Sequence, residues 1–153
     1  MASIINASPS AVSVTSDGTS ALTLQTNGTD ALALVSGAVV NPTIQNYVES
    51  VVAIGTVTTS SVLSLSNGTV QTATLTASTT CAFTMPTATA GKSFVLLLKQ
   101  AASTGNGNAT FTGVKWSSNG APTITATAGK MDILTFIADG TNWYGSYIQG
   151  YTP

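Results

Sequence analysis

From Ser61 to the C-terminus, short runs of alternating apolar and polar residues are broken again and again by turn residues. Strict alternation puts successive side chains on opposite faces of a strand, so each run can bury one face and wet the other. The runs predicted as strands are Val62–Leu65, Val70–Thr76, Cys81–Met85, Ser93–Gln100, Ala109–Phe111, Thr123–Ala126, Met131–Ala138 and Trp143–Gln149. Between them stand Ser66-Asn67-Gly68, Pro86, Gly105-Asn106-Gly107, Asn119-Gly120, Ala128-Gly129 and Asp139-Gly140. In the last of these, Asp139-Gly140-Thr141-Asn142 reads as a hairpin turn capped by the Asp139 carboxylate. Short strands at this spacing predict an all-β fold, in the form of an antiparallel β-sandwich or jelly-roll-like domain over 61–153. Phe94–Leu98 and Ile133–Ile137 are nearly all apolar, which predicts central strands covered on both faces.

A different pattern precedes this domain. Asp17-Gly18-Thr19-Ser20-Ala21-Leu22-Thr23-Leu24 recurs as Asn27-Gly28-Thr29-Asp30-Ala31-Leu32-Ala33-Leu34. Each copy is an Asx-Gly turn followed by an alternating strand. Leu22, Leu24, Leu32 and Leu34 form one apolar row that two short strands cannot bury alone. Residues 1–40 are therefore expected to be a β-repeat arm, a shaft or docking element. The row needs the C-terminal domain, another copy of the chain or a different protein.

Residues 41–60 are expected to link the two. Asn41 can cap a helix and Pro42 suits its first position. Ile44, Tyr47, Val48, Val51 and Val52 follow at helical spacing, and Gly55 can end the element. This predicts a short helix whose stripe of Ile44, Tyr47, Val48 and Val51 joins the Leu row as a candidate oligomer or docking interface. The β-branched content leaves a strand over Val48 to Val57 open as the other reading.

Composition narrows the chemistry. Of 153 residues only 6% are charged, against roughly a quarter in ordinary domains, while 43% are hydrophobic. The surface must be wetted by Ser, Thr, Asn, Gln and backbone groups. There is no His, no Arg and one Cys, Cys81. His-based catalysis and His or thiolate metal sites lack their residues within one chain, and no phosphate-binding glycine pattern is present. No catalytic residue, cofactor or metal ligand is expected. Asp132 and Asp139 are the carboxylates of residues 61–153, and Lys92, Lys99, Lys115 and Lys130 form no patch. Binding to nucleic acid, which draws on Lys and Arg against phosphate, is not expected. Apolar runs such as Phe94–Leu98 are too short to span a bilayer, so membrane insertion is not expected either. The N-terminus lacks the basic and long apolar regions of a secretory signal, and Cys81 reads as a buried, inert thiol. Asn27-Gly28-Thr29 and Asn67-Gly68-Thr69, which match the glycosylation pattern, read as turns.

Aromatic residues concentrate late in the chain, and with nearby amides they supply candidate surface-binding residues. These are Trp116, Asn119, Trp143, Tyr144 and Tyr147. Trp143 and Tyr144, being adjacent in a strand, must face opposite sides.

Four stretches carry a resemblance. They are Gly113-Val114-Lys115-Trp116, Ala121-Pro122-Thr123-Ile124, Gly129–Phe136 and Asp139-Gly140-Thr141-Asn142-Trp143-Tyr144-Gly145. Together they resemble a β-sandwich module at the C-termini of tailed-phage tail-fibre and other virion proteins, typical of phages of cyanobacteria and other marine bacteria. Leu22–Thr29 also resembles short repeats of such fibres. The resemblance implies a non-enzymatic virion structural protein, assembled in the host cytoplasm, commonly a homotrimer and displayed on the particle. Its implied partners are copies of itself, tail or major capsid proteins, and host surface polysaccharide or protein. With the module starting near Ser61, the expectation is a short fibre or adhesin-type appendage. The alternative is a capsid decoration protein, cement or head fibre, docked on the major capsid protein through its N-terminal arm.

Overall fold

A computed structural model describes residues 43–153, together with the strand pair β1 (Gln25–Thr26) and β2 (Thr29–Asp30). β1 and β2 are antiparallel, with Gln25 opposite Asp30 and Thr26 opposite Thr29. Leu22, Leu24, Leu32 and Leu34 lie outside the described residues.

Nine further strands follow. They are β3 (Val51–Val57), β4 (Ser60–Val62), β5 (Val70–Leu75), β6 (Thr80–Thr84), β7 (Ser93–Lys99), β8 (Asn108–Thr112), β9 (Val114–Trp116), β10 (Met131–Ala138) and β11 (Trp143–Tyr151). The described residues hold strands and connecting segments only, so the domain is all-β.

The short helix expected over 41–55 is therefore corrected. Thr43–Ser50 has no regular structure and Val51–Val57 is a strand. Asn46 has a φ of 57°, which an α-helix does not admit. Beyond it, Val51, Val52 and Val57 carry the branched Cβ that suits a pleated sheet. A β-bulge lies between Ala53 and Gly55, and Gly55 takes the positive φ of 83° that such a bulge favours. Thr123–Ala126 is likewise not a strand but an irregular segment.

The strands form two sheets, ordered β3-β5-β7-β10-β11-β9 and β4-β6-β8. From β3 to β8 the chain alternates between them, placing one strand in each sheet per circuit. Three circuits therefore stack. Val51 lies beside Val70 and Val70 beside Val95 in the larger sheet. Ser60 lies beside Ala82 and Ala82 beside Thr110 in the smaller one. All these pairings are parallel, because each circuit returns in the direction of the one before. The expected antiparallel connectivity is thus corrected for the first six of these strands. Turn residues mark where a chain changes direction, but they do not say whether the next strand stays in its sheet or crosses to the other layer. Antiparallel pairing appears only at the end, where β10 lies between β7 and β11.

The core lies between the layers. β5 turns Ala73 and Leu75 inward, β6 Cys81 and Phe83, β7 Phe94, Leu96 and Leu98, and β10 Leu134 and Phe136. Phe94–Lys99 and Met131–Ala138 occupy the middle of the larger sheet, as their apolar content predicts. Phe136 stacks on Phe94 with centroids 4.8 Å apart and meets Phe111 of the smaller sheet at 5.7 Å. Cys81 is fully buried and its thiol donates to the Val57 carbonyl at 3.0 Å.

Polar groups inside are answered mainly by backbone. Gln100 donates to the Gly107 carbonyl at 2.7 Å and accepts from its N–H at 2.9 Å. The side-chain amide thus replaces a strand neighbour where β7 hands over to β8. Asp132 is buried and accepts from the backbone N–H of Thr125 at 2.8 Å and of Gly150 at 3.0 Å. That carboxylate ties the irregular segment at 123–126 to β10.

Replacing Phe136 by Ala removes the ring shared by both layers and leaves a cavity that rigid strands cannot close. We expect a loss of about 3–5 kcal/mol in urea unfolding, with the midpoint falling and the dependence on urea unchanged.

Candidate functional site

The hairpin between β10 and β11 is built by Asp139. Its Oδ1 accepts from the N–H groups of Thr141 and Asn142, both at 2.7 Å. Its Oδ2 accepts from the Tyr144 hydroxyl at 2.9 Å. The backbone N–H of Asn142, then that of Thr141, then the Tyr144 hydroxyl hold the Asp139 carboxyl down from 3.8 to about 2. Its hydrogen bond and then its charge push the Tyr144 phenol up. The turn thus presents a fixed carboxylate and an aromatic ring that is 45% exposed.

The other sequence-predicted surface residues are divided. Asn119 is exposed in a turn where its N–H reaches the Ser117 hydroxyl at 3.4 Å. Trp143 is corrected: it is only 2% exposed, edge-on to Phe94 at 5.3 Å, and its indole N–H donates to the Pro86 carbonyl at 2.7 Å. Alternation in β11 sends Trp143 inward and Tyr144 outward, so the adjacent pair does face opposite sides. Trp116 and Tyr147 are half-buried and packed against the core. Trp116 meets Phe111 at 5.8 Å, Phe136 at 6.0 Å and Tyr147 at 6.0 Å. It lies so close over β11 that a Cβ at Gly145 would collide with its ring. Neither ring is a free stacking platform. Among the interface candidates, Ile44, Tyr47, Val48 and Val51 are all exposed, Val48 by 93%, and they form no helical stripe.

Sequence reasoning missed a broader feature. The outward faces of the two sheets differ. The smaller sheet presents Ser60, Thr80, Thr84, Asn108, Thr110 and Thr112 outward, with Ala82 and an exposed Val62 among them. The larger sheet presents Val51, Val70, Val95, Thr135 and Ser146 in one cross-strand row, and Ala53, Thr72, Leu97, Ile133 and Ile148 in the next. Ile137 and Ile148 are 57% and 64% exposed. Two shallow depressions mark this face. One of about 430 Å³ lies among Ala53, Thr72, Thr74, Leu97, Lys99 and Met131. The other, of about 210 Å³, lies among Glu49, Thr69, Ser93, Val95 and Thr135. The signal was present in the all-apolar strands Phe94–Leu98 and Ile133–Ile137, whose content predicts cover on both faces. The smaller sheet supplies it on one.

Among the described residues, no three His, Cys, Asp or Glu side chains come together as a metal site would require. No described helix is long and apolar enough to cross a membrane. Comparison with known proteins finds no matching family model, curated protein or solved structure.

Two outcomes are expected of this region. The Asp139 carboxyl is lowered in the folded chain, so its contribution to stability is complete above pH 3.8 and is lost as pH falls through about 2. Asp139→Asn should therefore be less stable than the parent at neutral pH, and urea titrations across that window should show the gap closing. Gly145→Ala should cost about 1–3 kcal/mol by forcing the Trp116 ring aside, with a change in tryptophan fluorescence that reports the displaced ring.

Proposed function

We propose that this chain is a non-enzymatic structural protein of a tailed-phage particle, displayed on its surface as a fibre or adhesin-type appendage that contacts the host. The observation that carries the proposal is the stacked-circuit body, read here as a β-solenoid of three circuits closed by a hairpin, with the cross-section of a sandwich. Such a body offers broad outer faces and a turn-rich rim, which suits binding by area. Its polar side chains are tied to the fold itself. Asp132 is held by Thr125 and Gly150, Asp139 by Thr141, Asn142 and Tyr144, and Gln100 by Gly107. These groups stabilise loops and strand ends in place of activating a nucleophile or water.

The resemblance of residues 113–116, 121–124, 129–136 and 139–145 to tail-fibre modules supplies the setting. The host-facing groups in this reading are Tyr144 with Asp139 at the hairpin tip and Asn119 in its turn. Their partner is a polymer or protein of the host surface, while neighbouring virion proteins hold the chain on the particle.

Antibody–gold labelling of intact phage particles tests this directly. Label at the tail or its fibres is the expected result, and Tyr144→Ala protein should then fold normally yet lose binding to host cells. Label over the head would replace the adhesin reading with capsid decoration through residues 1–40. Particles without label would overturn both.

A further inference from the structure

The outward face of the six-stranded sheet joins two facts. Its middle strands turn Val95, Leu97, Ile133 and Ile137 outward among Ser93 and Thr135, and Glu49 and Lys99 stand at opposite ends of the strand direction, with Lys115 at the Glu49 end of the far edge strand. Glu49 lies at one end, beside Thr69, Ser93 and Thr135, and accepts from the Thr69 hydroxyl. Lys99 lies at the other, beside Thr74 and Met131. Between them run Val95, Leu97, Ile133 and Ile148, without a charged residue in either row. The outer face of the smaller sheet is mostly Thr, Ser and Asn, with Val62 its one exposed large apolar residue.

We propose that a second copy of this chain covers the face, related by a twofold axis that runs across the strands. Rotation about such an axis reverses the strand direction of one copy over the other. It lays Glu49 of each copy opposite Lys99 of the other, twice, and sets Leu97 against Val95 and Ile133 against Thr135 across the centre. Self-complementarity of this kind is what an isologous pair requires.

The dimensions fit. Five strands about 4.8 Å apart and seven residues long at about 3.3 Å each give a patch of roughly 550 Å² in projection. With side-chain relief this approaches the roughly 800 Å² that each partner contributes to a standard interface. Two such faces would meet as sheets do elsewhere, about 10 Å apart, with Val, Leu and Ile interdigitating. The pairing competes with the host-facing role given above to Tyr144, which lies beside Ile137 on this face. It differs from the trimer that the resemblance implies, because a threefold axis would divide this face between two neighbours.

Sedimentation equilibrium of the full chain provides the test. The expected mass is twice 15.3 kDa at micromolar concentration. Ile137→Lys combined with Ile148→Lys should yield a monomer with unchanged circular dichroism, since both side chains are more than half exposed in a single copy. Lys99→Glu alone, or Glu49→Lys alone, should weaken pairing about tenfold, and the two together should restore it to within about threefold. Val62→Lys, on the outer side of β4, should change nothing. A wild-type monomer would overturn the proposal and leave the face to residues before Thr43 or to another protein. A trimer would overturn the twofold arrangement. A dimer insensitive to the Ile137 and Ile148 changes, or a charge exchange that fails to restore pairing, would equally overturn it.

Discussion

The contact between Phe111 and Phe136 is where the two layers of the domain become one. Phe111 belongs to the last circuit of the smaller sheet, and Phe136 to the hairpin strand that pairs with the last circuit of the larger sheet. Three stacked circuits have parallel ladders holding each sheet laterally, but those ladders do not join one sheet to the other. That is done by side chains, and Phe136 touches Phe94, Phe111 and Trp116 at once. Around it the aliphatic core of Leu75, Leu96, Leu98 and Leu134 excludes water, which makes every buried backbone group dependent on its ladder partner.

The few polar residues inside follow from that dependence. A circuit has corners, and at a corner the chain leaves one ladder before it joins the next. Gln100 bridges such a corner by offering an amide where a peptide is missing. Asp132 does the same for the loop before β10 and the end of β11, with a carboxylate that accepts from both. Asp139 closes the one true hairpin of the domain. In each case a side chain completes hydrogen bonding that strand geometry interrupts.

Strand locations were legible in the sequence because alternation is local. Met131–Ala138 was bounded as the structure has it, and Val70, Ser93 and Trp143 begin strands as expected. Connectivity was not legible, because parallel and antiparallel neighbours bury the same alternating face. The helix over 41–55 was misread for a related reason: Ile44, Tyr47, Val48 and Val51 satisfy a 3.6-residue period by spacing alone, while Asn46 turns the backbone the wrong way. For the candidate surface residues, alternation predicted that Trp143 and Tyr144 part company. Which of them faces the core depended on the register of β11 against β10, which no local pattern contains. The outer apolar face was present as composition in two strands, and it became a surface only once the sheet order put those strands side by side.

The stacking of β3, β5 and β7 over β4, β6 and β8 gives the domain a polarity. At one end β3 and β4 are the outermost strands of their sheets. At the other, the reversal into β10 and β11 ends the parallel succession. A duplicated circuit of sequence inserted among the first three would find, on both sides, neighbours of the same direction and spacing. The same insertion after β8 would have to break the β7–β10 ladder. Length in such a body is therefore a quantity that evolution or an engineer can adjust from one end only, while the terminus that bears the Asp139 turn stays as it is.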